Sequence, residues 1–151
     1  MKIGIMMFPT RQPVDVAVVA QQAEALGFDS LWVGEHPIMP VQSTSPFPGS
    51  PDGKIPDSYS WFVDPFVTLA RASAVTTTLK LGTGITLVPE RHPLLLAKEI
   101  ATLDYFSKGR FVFGIGAGWH KEGKGDHGGP LRPPLEPDPR GPRGDASTLG
   151  Q

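Results

Sequence analysis

The sequence contains no cysteine. That excludes a disulfide framework and any thiolate metal site. It has almost no net charge: 14 Lys and Arg stand against 15 Asp and Glu, a formal −1. No basic surplus exists to follow a nucleic acid or an anionic membrane, so neither is expected as a partner. No apolar run approaches the roughly 20 residues of a membrane span. The opening "MKIGIMMFPTRQP" is too short for a signal peptide, and Gly4 and Pro9 interrupt it. The four histidines lack a tight spacing or a carboxylate-linked motif, so no metal site is expected. Together these absences predict a cytoplasmic protein.

What is abundant is glycine and proline. There are 18 and 17 of them in 151 residues, about twice the usual combined share of roughly 12%. They cluster. Residues 123–151 hold seven Gly and six Pro but only four apolar residues, Leu131, Leu135, Ala146 and Leu149. Such a composition cannot bury enough surface to offset its ordering entropy. The chain therefore divides into residues 1–128 and a Pro/Gly-rich tail, 129–151, expected to be disordered.

Upstream, strand and helix patterns alternate. Apolar, β-branched runs predict strands near 2–8, 29–34, 79–85 and 110–115. Helical spacing predicts helices near 14–26, 64–75 and 93–107. In the first, Val16, Val19, Ala20, Ala23 and Leu26 share a face. In the second, Phe66, Leu69, Ala70 and Ser73 do. Asp64 is placed as an N-cap, Pro65 and Pro93 at first helical positions, and Gly27 and Gly109 just past helix ends. Between strand two and helix two runs an irregular stretch, Pro37 to Val63, with six prolines. Loops of that length are usually functional lids or disordered. The order β-α-β-loop-α-β-α-β implies right-handed crossovers and a parallel sheet.

"RFVFGIGAGWHKEG", Arg110 to Gly123, suggests a nucleotide-binding turn. It fits the dinucleotide fingerprint badly, because its third glycine, Gly118, comes one residue early and it follows the fourth strand. Two other readings stand: glycines that let backbone approach a phosphate, or a tight exit from a buried strand. Polar placement favours a barrel. Glu35 and His36 lie at the C-terminal end of the second strand, Thr83 at the end of the third and His120 just past the fourth, and in a (β/α)8 barrel those ends share one rim. His36 also has a plain structural reading, as an anchor for the 37–63 loop.

The segments "WVGEH" and "DPFVTLARASAVTTTLKLGTGITLVPERHPLLLAKEIATLDYFSKGRFVFGIGAGW" strongly resemble the luciferase-like monooxygenase family. The spacer "PVQSTSPFPGSPDGKIPDSYSW" resembles its branch of oxidoreductases that use the deazaflavin coenzyme F-420. The resemblance implies a (β/α)8 TIM-type barrel, present here as an N-terminal half-barrel. It implies hydride transfer or oxygenation of a small organic substrate, with coenzyme F-420 or alternatively FMN. His36 matches the position beside the coenzyme ring, as a catalytic residue. Glu35, Thr83, Gly84, Ile85, Gly116, Ala117 and Gly118 match coenzyme-binding positions. Thr83 to Ile85 match a bulge often held by a non-proline cis peptide. His120 stands where the family often has Asn, and Gly123 where it often has an acidic residue.

From Gly129 the tail resembles nothing in the family and reads as out-of-frame or foreign sequence. A barrel of this kind needs about 250 residues. A truncated half would expose two strand edges and an interior face. That leaves open a homodimer that closes the sheet, an unstable non-catalytic fragment, or an FMN monooxygenase component served by a separate reductase.

Overall fold

A computed structural model of the chain describes residues 1–10, 14–39 and 43–119. His120 and the 129–151 tail lie outside the described residues. In chain order the elements are β1 (Gly4–Met7), α1 (Val16–Ala25), β2 (Ser30–Val33), α2 (Pro65–Ser73), β3 (Lys80–Thr83), β4 (Thr86–Leu87), α3 (Pro93–Ser107), β5 (Phe111–Val112) and β6 (Ile115–Gly116). Two 3-10 turns, Asp57–Trp61 and Val88–Glu90, punctuate the connections.

The caps explain the helix boundaries. Asp15 accepts a hydrogen bond from Ala17 N at 3.0 Å and opens α1. Asp64 accepts from Val67 N at 2.9 Å, and Pro65 follows as the first helical residue of α2. α3 begins at Pro93 and ends through left-handed Lys108 and Gly109, at φ 58° and 76°.

β1, β2, β3 and β5 form one sheet in that order, every pair parallel. The third and fourth expected strands each break in two, and the second halves pair separately as β4 with β6, also parallel. The Thr83 hydroxyl causes the break. It donates to Gly114 O at 2.9 Å and accepts from Gly114 N at 3.0 Å, replacing ladder bonds at that point. The ladder resumes where Thr86 N donates to Gly114 O at 2.8 Å.

The core lies between the sheet and its three helices. Leu31, Val33, Leu69, Leu79 and Leu81 are fully enclosed there with Ala20 and Ala72. Two expected helix faces need correction. Leu26 is 74% exposed, because α1 ends one residue earlier and the buried stripe stops at Ala23. Ala70 is exposed because it lies just past the edge of a stripe centred on Leu69.

On the opposite, concave face the Trp32 indole lies across Gly4 and Gly82, and its Nε1 donates to Ser30 Oγ at 2.9 Å. A Cβ on either glycine would run into that ring or into Ser30. Further along this face Met6 and Phe8 are each 51% exposed.

Two carboxylates hold the helical layer. Asp15 pairs with Arg71 on α2, Nε to Oδ1 at 2.7 Å. Glu24 on α1 accepts from the backbone N–H groups of Thr77, Thr78 and Leu79 and from the Thr78 hydroxyl, at 2.5–2.9 Å through Oε1. Partial burial works against the Glu24 charge, but these donors outweigh it and lower its pKa from 4.5 to about 2. A depressed folded-state pKa means stability present above the unfolded value and lost as pH falls through the folded one. The unfolding midpoint is therefore expected to drop between pH 4.5 and about 2. Glu24→Ala is expected to cost about 1.5 kcal/mol at neutral pH, since two of the three backbone donors reach water. It is also expected to flatten that acid limb. Urea titrations across pH check both.

Candidate active site

All four strands of the main sheet run the same way, so their C-terminal ends share one rim. There the ends of β1 and β2 and the β3–β4 junction enclose an open cleft of about 560 Å3 with the 43–62 segment and the residues after β6. His36, Glu35, Gly84, Ile85 and Gly118 all line it. Glycines in its lining let neighbouring side chains pack close against the backbone. A Cβ on Gly34 would lie 2.6 Å from the Phe8 ring, and one on Gly118 would lie 3.1 Å from Leu87 Cδ2. Gly118 also has φ +72°, a conformation L side chains seldom adopt. The Gly84–Ile85 peptide bond is cis, and the Ile85 side chain is 41% exposed at the cleft.

The remaining expected site residues lie elsewhere. Thr83 does not reach the cleft. It is 0% exposed, its hydroxyl spent on Gly114. Gly116 pairs in β6 and backs onto the Ile85 side chain, and Ala117 is exposed outside the cleft lining.

His36 sits among rings. Its centroid is 5.0 Å from Tyr59, 5.8 Å from Phe62 and 5.9 Å from Trp119. Burial raises the Tyr59 pKa above the ordinary phenol value, so its hydroxyl stays protonated at neutral pH.

Glu35 is buried, with its side chain 1% exposed. It accepts from Leu87 N at 2.5 Å and from Arg91 Nη2 at 2.6 Å. The same guanidinium reaches Asp64 at 2.8 Å and Glu99 at 3.1 Å and lies 4.8 Å above the Phe66 ring. One cation thus joins the end of β2 to the start of α2 and the body of α3. Burial opposes the Arg91 charge, but the hydrogen bonds it donates to Glu35 and Asp64 outweigh it and raise its pKa. The clasp also borders a second pocket of about 340 Å3, behind His36 and Glu35.

Arg91 and the loop aromatics escape a reading of the sequence by motif. For Arg91 the signal was a carboxylate, Glu35, inside an otherwise apolar strand end, since a buried charge demands a partner. Among the described residues, no group of three or more His, Cys, Asp and Glu side chains is arranged to hold a metal. No described helix is long and apolar enough to cross a membrane.

A family model described as luciferase-like monooxygenase matches residues 1–140, so the matched span ends within the Pro/Gly-rich tail. An uncharacterised protein of Mycobacterium tuberculosis is 40% identical over 131 residues, 86% of this chain and 46% of that one. Among solved structures, the coenzyme F-420-dependent tetrahydromethanopterin reductase of Methanopyrus kandleri is 32% identical. It superposes with a TM-score of 0.58 over 78% of this chain and 27% of that one. The oxygenating constituent of 3,6-diketocamphane monooxygenase from Pseudomonas putida, in complex with FMN, gives 0.63 at 26% identity, over 85% and 32%. The chain spans less than half the length of these relatives. Its parallel α/β sheet is a partial barrel of their type.

Proposed function

The chain belongs to the luciferase-like monooxygenase family, and on that premise we propose that it is the coenzyme-binding part of an oxidoreductase using the deazaflavin F-420. The observation that carries this reading is the cleft itself. It lies at the strand C-terminal ends, and its lining is mostly apolar and aromatic: Phe8, Phe47, Tyr59, Phe62, Ile85 and Leu87, with Gly34, Gly84 and Gly118 between them. Its volume falls in the range of about 300–1,000 Å3 common to small-molecule sites. Ile85 is the apolar support against which a flat ring leans. When bound, the coenzyme supplies hydride transfer.

The chain's own groups do the rest. His36 holds or moves a proton at an imidazole nitrogen in the cleft, where a substrate atom gains or loses charge. Glu35 contributes position: by holding Leu87 N it fixes β4, and with it the wall that carries Ile85. The rings around His36 make its surroundings aromatic and apolar.

FMN is a second reading, supported by the FMN complex among the structural relatives. F-420 is preferred because the F-420-dependent reductase has the higher sequence identity, 32% against 26%. Equilibrium titration of the chain with each coenzyme, followed by coenzyme fluorescence, tests the choice. F-420 is expected to bind at least 10-fold more tightly than FMN. Equal affinity, or tighter FMN binding, overturns the preference; saturable binding of neither overturns the reading.

A further inference from the structure

Five aromatic rings form a continuous arc along one side of the cleft. Phe8 stacks on Phe62 at 5.6 Å, Phe62 meets Tyr59 at 4.8 Å, Tyr59 meets Phe47 at 4.9 Å, and Phe47 meets Trp119 at 5.5 Å. Three distant parts of the chain supply them: the end of β1, the 43–62 segment and the residue run after β6. None of the five is buried in the core; each is half-buried or exposed. Two contacts, at 62° and 68°, present ring edges rather than closed stacks. An incoming ring therefore finds both edges and faces to pack against.

Charge narrows the occupant further. No Lys or Arg is among the described residues that line this cleft. Its one carboxylate, Glu35, is already bonded to Arg91 and the Leu87 amide. An anion entering would lose its hydration with no described Lys or Arg in the lining to replace it. A flexible alkyl chain would gain area but lose rotamer freedom against rigid rings.

We propose that this arc is the substrate side of the cleft and that it receives an uncharged molecule bearing a planar ring. The inference rests on the coenzyme reading above, in which the Ile85 side of the cleft takes the coenzyme and the arc faces it.

The test uses three probes on the chain: naphthol, naphthoate with the same ring and a negative charge, and octanol, neutral without a ring. Each is measured by equilibrium dialysis, alone and then with saturating coenzyme. Naphthol is expected to bind at least 10-fold more tightly than either of the others, and to do so still with coenzyme present. Phe47→Leu, which keeps bulk but removes the ring, is expected to weaken naphthol binding by about 3- to 10-fold, the range of one lost ring contact. Tyr59→Leu should do the same, with circular dichroism confirming the fold of both. Phe106→Ala, a ring 66% exposed on α3 and outside the cleft, should leave naphthol binding unchanged. Naphthoate or octanol binding as well as naphthol, or a folded Phe47→Leu protein that binds naphthol normally, overturns the proposal. Failure of both coenzymes to bind defeats the coenzyme reading and leaves the order of the three probes to judge the arc.

Discussion

Arg91→Met is expected to destabilise the fold by about 3–5 kcal/mol, the cost of removing one partner from a buried ion pair. Methionine keeps an apolar stem of similar length but deletes the guanidinium, and with it the contact over the Phe66 ring. Glu35 would then be left with a side chain 1% exposed and no cation beside it. Two more carboxylates, Asp64 and Glu99, would lose the charge that draws α2 and α3 toward the β2 end. The raised Arg91 pKa means that no ordinary pH imitates the substitution. Adding Glu35→Gln to Arg91→Met should recover a large part of the loss, because the orphaned charge disappears with its partner. Urea unfolding of the single and double variants measures both effects. A single variant within about 1 kcal/mol of the parent would refute the clasp as a major stabilising contact.

His36→Phe is expected to lower turnover by about 100-fold, the usual contribution of a positioned acid or base. Phenylalanine is the informative replacement because His36 packs against Tyr59, Phe62 and Trp119, and alanine would remove those contacts as well. The unfolding midpoint of His36→Phe should stay close to the parent's, while His36→Ala should lower both turnover and stability. The measurement belongs in a protein of the relatives' full length, with whichever coenzyme binds. If His36→Phe retains turnover while its stability falls, the residue anchors the 37–63 loop and carries no proton.

Local order was easy to read. Asp64 before Pro65, and Pro93 with Gly109 at the two ends of α3, mark boundaries through the chain's own hydrogen bonds and φ limits, which are nearest-neighbour effects. Parallel pairing followed from alternating periodicity. Thr83 went astray for a reason that counting in twos exposes. Leu79, Leu81 and Thr83 alternate onto the same buried side, so the hydroxyl faces away from the cleft. The broken strands were illegible because a side-chain hydroxyl bonding 31 residues away leaves no periodic trace. Arg91 and Glu35 are 56 residues apart, and the aromatic arc draws on positions 8, 47, 59, 62 and 119. Such groupings exist only once the strands are in register.

The Trp32 indole, lying between Gly4 and Gly82, has a consequence for how this sequence can drift. Its register partner in β3 is Gly82, and its bulk occupies the space where a side chain there would stand. Positions 4, 32 and 82 are therefore expected to vary together. A lineage that gains a side chain at 82 must first shrink residue 32, and one that keeps the tryptophan is held to glycine on its flank. Among relatives, tryptophan at 32 should occur with glycine at 82, and a smaller residue at 32 with alanine or larger there.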